Sequence, residues 1–286
     1  MFFIIINCLF NGLLLSVIYF IAIGHIIQAQ LGQMSPLIER WIYLALGLGT
    51  TILLMLFGIS SFGHFLLRLF LGARKPIYRE HLKIDSILSE ILENANNHLG
   101  TNFKSSRLYI LVKDYKDINA QAVGRDTIVV TDGLLRIATD DELRSVLANA
   151  VGHLYYKDSV TLVALVYSSF ATWLISFTDK IASWLSPVGN INKILLVVML
   201  IIKLLLLPFI LLRWLGIRLL NISLLFMGRQ YEYRADKFAK ELGYQDGLIS
   251  FLEKIQAVTE YDNSVMGRIF ATYPAPMKRI GRLEDE

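Results

Sequence analysis

Four long apolar segments constrain this chain more than any other feature. Residues 1–28, 41–70, 159–178 and 194–212 carry few or no charged side chains, and a helix of about 20 such residues crosses the ~30 Å hydrocarbon core of a bilayer. The composition agrees, since 55% of the 286 residues are hydrophobic and only 18% are charged, which is unusual for a soluble domain. We therefore predict an integral membrane protein with four transmembrane helices. The first is expected to be retained, because it lacks the basic start and the small-residue cleavage site of a signal peptide.

Basic residues predict how these helices are oriented. Arg74, Lys75, Arg79 and Lys83 follow the second span, whereas the loop before it offers only Arg40. Because lysine and arginine accumulate on cytoplasmic flanks, we expect both termini and both polar parts of the chain in the cytoplasm, at the inner membrane of a bacterium. The net charge of +4 is explained by this bias, so we predict the lipid bilayer as a partner and no nucleic acid.

Two polar parts of the chain flank the second pair of spans. They contain an amphipathic helix at 82–99, short strands at 107–113 and 127–131 with a loop at 114–124 between them, and further helices. The predicted fold class is therefore a mainly α membrane protein, with four transmembrane helices and one α+β domain that has a small sheet and is discontinuous in sequence. The predicted limits are a first transmembrane hairpin at 1–71, a polar part at 72–158, a second hairpin at 159–214 and a second polar part at 215–286.

One predicted helix carries the most informative polar pattern. Thr139 and Glu142 form a capping box at its start. Asn149 and His153 are four residues apart and lie on one face of the helix, with Ala150 directly after the asparagine. Zinc peptidases carry His-Glu-x-x-His in such a helix, where two imidazoles bind the metal and the glutamate activates a water molecule. Here one imidazole is replaced by an amide and the carboxylate by a methyl group.

Further motifs, taken together and in this order, resemble one family. Asn-Ala-Gln-Ala-Val-Gly at 119–124 is similar to a family motif Asn-Ala-Phe-Ala-x-Gly, and Glu232 and Asp236 match a Glu-x-x-x-Asp motif. The chain thereby resembles the HtpX and CAAX-prenyl-protease family of integral-membrane zinc metallopeptidases, and the HtpX branch in particular. The segments that carry the resemblance are 119–124, 127–135, 141–148, 152–158, 232–236 and 271–283.

The resemblance also shows where this chain departs from the family pattern. It implies metal ligands at positions 149, 153 and 232 and a catalytic glutamate at 150, but the chain has Asn149 and Ala150 there. We therefore predict no catalytic residue, no metal and no cofactor, with zinc only if some peptidase activity remains. We expect Glu232 and His153 to lie in a hydrogen-bonded cluster with Asn149, with Tyr273, or with both, where the family holds its metal. The vestigial metal-site positions are Asn149, His153 and Glu232, and the residues expected beside them are Asp158, Asp236 and Tyr273.

The preferred function is that of an inactive membrane pseudopeptidase. It would bind a polypeptide, or act as a component of a membrane-protein assembly or quality-control complex. In the family that the chain resembles, a strand before the zinc helix pairs with substrate backbone, which needs no metal. Two alternatives stay open: a residual zinc metalloendopeptidase of membrane-protein quality control, and a purely structural membrane subunit. The residues predicted to form the peptide-binding edge are Thr127, Ile128, Val129, Val130, Thr131 and Gly133.

Overall fold

The structure, a computed structural model, describes residues 2–31, 35–104, 107–185, 193–261 and 274–285, with the backbone alone at 25, 31, 178, 179, 181–185, 193–206, 209 and 258–261. The helices are α1 (Phe2–Leu31), α2 (Pro36–Gly58), α3 (Ser61–Phe70), α4 (Tyr78–Leu99), α5 (Asp132–Ile137), α6 (Asp140–Tyr155), α7 (Asp158–Ser168), α8 (Phe170–Leu185), α9 (Lys193–Glu241), α10 (Gln245–Tyr261) and α11 (Pro276–Asp285). The strands are β1 (Tyr109–Lys113), β2 (Ala120–Val123) and β3 (Thr127–Thr131).

Two compact units make up the chain. The first unit comprises Met1–Gly58 and Ala164–Ser223, and the second comprises Ile59–Val163 and Leu224–Glu286. Both units are therefore discontinuous in sequence. The predicted domain limits at 71, 158 and 214 stay predictions of where the chain leaves the membrane.

Three described helices are long and apolar enough to cross a membrane: Phe2–Gly24 within α1, α2 itself, and Ile210–Glu241 within α9. The helices α7 and α8 meet at a bend of 48°, and together they are a fourth candidate if they form one broken span. The prediction of an integral membrane protein is confirmed, with three or four candidate spans among the described residues. The predicted span at 194–212 falls largely on residues whose side chains lie outside the described part.

The second predicted span ends earlier than expected. Helix α2 stops at Gly58, and residues 61–70 form the separate helix α3. The side-chain oxygen of Ser60 accepts a hydrogen bond from the backbone N–H of Gly63 at 3.1 Å, and such an N-cap starts a new helix. The prediction of one continuous span over 41–70 is therefore wrong.

In the first unit, two buried asparagines of α1 hydrogen-bond to the bend between α7 and α8. Asn11 Oδ1 accepts from the backbone N–H of Thr172 at 3.0 Å. Asn7 Nδ2 donates to the hydroxyl oxygens of Ser168 at 2.8 Å and Ser169 at 2.9 Å. An unsatisfied backbone group costs several kcal/mol in hydrocarbon, so these amides stabilise the bend.

The second unit has a three-stranded sheet in the order β1-β3-β2. Strand β3 pairs in parallel with β1 and antiparallel with β2, and all five of its residues, Thr127 to Thr131, are buried. The prediction that this strand is a peptide-binding edge is therefore wrong, because both of its edges are occupied. Gly133 is buried in α5, where its backbone N–H donates to the carbonyl of Tyr115 at 3.0 Å.

Strand β2 forms one edge of the sheet and pairs with β3. It lies in the segment 114–124, which we predicted as a loop. Its sequence, Ala-Gln-Ala-Val, has little intrinsic preference for a strand. The strand forms because its start is fixed to β3: the backbone N–H of Thr131 donates to the carbonyl of Asn119 at 3.0 Å, and the backbone N–H of Asn119 donates to the Thr131 hydroxyl at 3.0 Å.

Two helices of the second unit, α4 and α6, form as the sequence predicts. Helix α4 ends at Gly100, whose φ of 62° is the left-handed conformation that glycine favours. Helix α6 starts with the predicted capping box, in which the backbone N–H of Thr139 donates to Glu142 Oε2 at 2.8 Å. These helices, with α9, α10 and α11, enclose a core that includes Ile84, Leu88, Val130, Leu147, Phe238 and Leu283.

Candidate functional site

Helices α6 and α9 approach each other closely at Gly152. A Cβ atom added there would lie 3.1 Å from Ala235 Cα, so the absence of a side chain allows the two backbones to meet. This crossing brings His153 of α6 beside Glu232 of α9, and Asn149 of α6 beside Asp236 of α9. A glycine one residue before the histidine therefore has a packing role.

Both ring nitrogens of His153 face carboxylates. Nε2 lies 3.3 Å from Glu232 Oε1, and Nδ1 lies 3.4 Å from Asp158 Oδ2. Burial by itself would lower the pKa of His153, but the negative charges of Glu232 and Asp158, with their hydrogen bonds, outweigh burial and raise it to about 9. The imidazole is therefore protonated at neutral pH and donates from both nitrogens. Asp158 also forms an ion pair with Arg234.

Arg279 of α11 places a second cation against the carboxylates of α9. Its Nη1 lies 2.9 Å from Glu232 Oε2, and its Nε donates to Asp236 Oδ2 at 2.8 Å. Buried carboxylates need a cation or protons beside them, and Arg279 supplies that cation to both Glu232 and Asp236. Asn149 Nδ2 completes the network by donating to Asp236 Oδ1 at 2.8 Å.

A cavity of 380 Å³ adjoins this ionic network. One side is formed by residues 120–122 of β2, and the network contributes His153, Glu232 and Arg279. Its size is within the range of pockets that hold a small ligand or a few side chains. The rest of the lining is largely apolar and includes Leu162, Leu224, Leu248, Phe251, Leu252 and Ile255.

A comparison with protein families identifies the family of this chain. The model of peptidase family M48 matches residues 80–286, which is most of the chain. The chain belongs to peptidase family M48. The HtpX-like resemblance of the sequence is thereby confirmed.

Two relatives of this M48 chain show how low its sequence identity to known HtpX homologues is. It is 27% identical over 190 residues to the protease HtpX homolog of Aquifex aeolicus, covering 64% of this chain and 53% of that protein. It is 28% identical over 196 residues to the protease HtpX homolog of Pyrococcus furiosus, covering 58% of this chain and 62% of that protein. The chain thus spans less than two thirds of the length of these two relatives.

Among solved structures, the crystal structure of S. mikatae Ste24p is similar to this M48 chain with a TM-score of 0.48 and 18% identity. The match covers 94% of this chain and 64% of that one.

The structure of this M48 chain brings together most of the residues that the motifs single out. His153 contacts Glu232 and Asp158, whereas Asn149 contacts Asp236 instead of joining Glu232. Ala150 is fully buried in the core cluster. Tyr273, which we expected beside the cluster, lies outside the described residues.

Sequence reasoning missed Arg279, although it lies within the tail segment that carries the family resemblance. A signal for it was present, because two buried carboxylates one helical turn apart, Glu232 and Asp236, require a cation or protons. The contact joins residues 43 positions apart in sequence, and no periodicity indicates such a distant partner.

The donor set at the ligand positions does not fit a zinc ion. Zinc sites need three or four protein ligands, but His153 is the only imidazole at the three ligand positions, and Glu232 Oε2 is paired with Arg279 Nη1 at 2.9 Å. The Asn149 amide directs its nitrogen to Asp236, and its neutral oxygen is a poor substitute for imidazole. Among the described residues, no group of three or more His, Cys, Asp or Glu side chains is arranged to hold a metal ion.

Proposed function

We propose that this chain is a catalytically inactive, HtpX-like member of family M48 that binds a polypeptide, either alone or within a membrane-protein assembly or quality-control complex. One observation carries the proposal: at a position that the family resemblance assigns to a metal-binding imidazole, Asn149 donates its amide nitrogen to Asp236 Oδ1 at 2.8 Å. In addition, Arg279 Nη1 lies 2.9 Å from Glu232 Oε2, the carboxylate that the resemblance assigns to the metal.

Inactivity is further supported by position 150. The resemblance implies a general base there, and the methyl group of Ala150 cannot accept a proton. Loss of a positioned general base slows proton transfer by roughly 10²–10⁴-fold. No other acidic side chain lies next to Ala150 along α6, since its neighbours are Asn149 and Val151.

Peptide binding is supported by the cavity and its bordering strand. Strand β2 lies at one end of the sheet order, and its residues 120–122 line the cavity beside the apolar side chains of α10. An extended peptide adds to such a strand through backbone hydrogen bonds, while its side chains enter apolar pockets. Within the described part of the chain the cavity is unfilled, which favours binding over a purely structural subunit with a filled cleft.

Photocrosslinking in native membranes tests this proposal. A benzophenone amino acid at Ala122, in the cavity wall, should form covalent adducts with a polypeptide. The same amino acid at Ser89, an exposed residue of α4, is the control and should not form them. Adducts with lipid alone, or none, at Ala122 would contradict peptide binding.

A second pair of variants shows whether the cavity itself holds the polypeptide. Ile255→Trp adds volume to the cavity lining and should lower the yield of adducts at Ala122 several-fold. Met277→Trp adds the same side chain at a position that is 60% exposed on α11 and should leave the yield unchanged. An equal yield in both variants would place the polypeptide elsewhere.

We also propose that both termini and the cleft face the cytoplasm, at the inner membrane of a bacterium. The basic residues Arg74, Lys75, Arg79 and Lys83 after the second span support this orientation. Reporter fusions at Lys113 should show a cytoplasmic location. An external location would overturn the proposed topology.

A further inference from the structure

Helix α3 exposes a continuous apolar face. Phe65 is 47% exposed, Leu69 is 63% exposed and Phe70 is 84% exposed. Phe62 lies on the same side, is 58% exposed and stacks on Phe65 with ring centroids 6.3 Å apart. A patch of large apolar side chains on one side of a helix marks a surface that another apolar phase covers.

The opposite face of α3 is fixed to the sheet of the second unit. His64 is buried, and its ring lies so close to Gly124 that a Cβ atom there would be 2.4 Å from His64 Cδ2. Arg68 pairs with Asp126 at 3.0 Å and lies over the ring of Tyr109 at 4.0 Å from its centroid. Gly124 directly follows β2, so α3 is held against the turn that leaves the cleft's edge strand.

The length and position of α3 exclude a membrane-spanning role. Ten residues make a helix of about 15 Å, which is half the thickness of the hydrocarbon core. Only Ile59 and Ser60 separate α3 from the end of the candidate span α2 at Gly58. A helix joined so directly to a span begins within a few ångströms of the bilayer surface.

Basic residues follow α3 at once. Lys75 and Arg79 are both exposed, whereas Arg74 is engaged with Glu80 and Asp114. Exposed lysine and arginine side chains near a membrane are attracted to an anionic leaflet. An apolar face flanked by basic residues is the composition of a helix that lies in the plane of the interface.

We propose that α3 is an interfacial helix that inserts Phe62, Phe65, Leu69 and Phe70 into an anionic lipid surface. Through His64 and Arg68 it holds the turn after β2, and with it the cleft's edge strand, next to the bilayer. Polypeptide segments that emerge at the membrane surface would then lie within reach of the cleft. The lipid contact itself is independent of the proposed peptide binding, since it rests on other residues.

Spin labelling of the full-length protein in vesicles tests this proposal. In a Cys8→Ser background, which removes the single cysteine, Phe65→Cys and Leu69→Cys are labelled, with Ser89→Cys on α4 as the control. Collision rates are measured with oxygen, which concentrates in lipid, and with a water-soluble nickel chelate. In phosphatidylcholine vesicles that contain phosphatidylglycerol, labels at 65 and 69 should report depths of ~5–10 Å and an oxygen-to-nickel ratio about ten-fold above that at 89.

Other collision patterns would overturn the proposal. Nickel accessibility at 65 and 69 equal to that at 89 would show that the face is in water. Protection from both reagents would show that protein covers it. Because positions 65 and 69 are exposed, we expect the cysteine variants to fold. The Ser89→Cys variant, purified and reconstituted in the same way, gives the collision rates of a label in water.

A separate measurement tests whether the helix requires anionic lipid. Replacing phosphatidylglycerol by phosphatidylcholine should shift the label at 69 outward, and the double substitution Lys75→Gln, Arg79→Gln should abolish this difference. An equal depth in both lipid mixtures would overturn the requirement for anionic lipid.

Discussion

At the scale of single residues, two cations determine the state of the site. Arg279 and His153 together contact the carboxylates of Glu232, Asp236 and Asp158. All three carboxylates are buried, and a buried charge is stable only when it is paired. Removing either cation should therefore be costly in a way that removing a surface charge is not.

Replacing Arg279 should destabilise the fold strongly. Arg279→Ala leaves Glu232 and Asp236 buried without that partner, and breaking a buried pair in this way costs about 3–5 kcal/mol. Chemical denaturation in detergent micelles measures the change in the free energy of unfolding. Lys278→Ala, which removes an exposed charge from the same helix, should change it by no more than about 0.5 kcal/mol. Similar effects of the two substitutions would contradict this role of Arg279.

The stability of the protein should depend on pH through His153. The folded pKa of about 9 lies above the usual 6.5, so the folded state binds the proton more tightly than the unfolded state. The resulting stabilisation is fully present below 6.5 and is lost as the pH rises through about 9. Thermal unfolding across this window should show a fall in the midpoint temperature that His153→Gln makes much smaller. If His153→Gln shows the same fall in midpoint temperature over this pH range, another group is responsible for the pH dependence.

At the scale of elements, short segments were harder to predict than long ones. The capping box at Thr139 and the apolar repeat of α4 are local signals, and both helices form as predicted. Strand β2 and the central position of β3 depend on which strands pair, which no local pattern encodes. The end of α2 at Gly58 was hidden because α3 is itself apolar, and only the N-cap Ser60 marks the boundary.

The crossing of α6 and α9 should be sensitive to Gly152. A Cβ atom there lies 3.1 Å from Ala235 Cα, a backbone atom that cannot move aside alone. Gly152→Ala should therefore destabilise the fold by about 1–3 kcal/mol through overpacking. Gly281→Ala in α11 meets no atom within 4 Å and should stabilise the helix by about 0.5–1 kcal/mol. Denaturation of both variants measures these effects, and a stabilising Gly152→Ala would contradict the close crossing.

At the scale of the whole molecule, membrane helices and an M48 unit share one chain. The apolar segments predicted the membrane character correctly, because ~20-residue apolar runs have few other uses. The ligand positions could be placed from the family motifs, since His153 and Glu232 keep their identities. The partner of Glu232 could not be inferred, because Arg279 reaches it from a helix near the other end of the domain.

Restoring the missing ligand and base should restore weak metal binding. Asn149→His with Ala150→Glu adds an imidazole one turn from His153 and beside Asp236, at positions that the α6–α9 crossing still holds together. Isothermal titration of the double variant with zinc should show binding that the matched variant Asn149→Gln, Ala150→Gln lacks. A folded double variant without zinc binding would show that the positions no longer converge.

The zinc content of the unaltered protein tests the central claim most directly. In the proposed inactive site, Arg279 and His153 carry the positive charge at the positions that the family resemblance assigns to a metal. Full-length protein purified without a histidine tag and without added metal should contain far less than one zinc per chain by elemental analysis. A content near one zinc per chain, the stoichiometry of a catalytic site with three protein ligands and a water, would contradict the account and favour a residual peptidase.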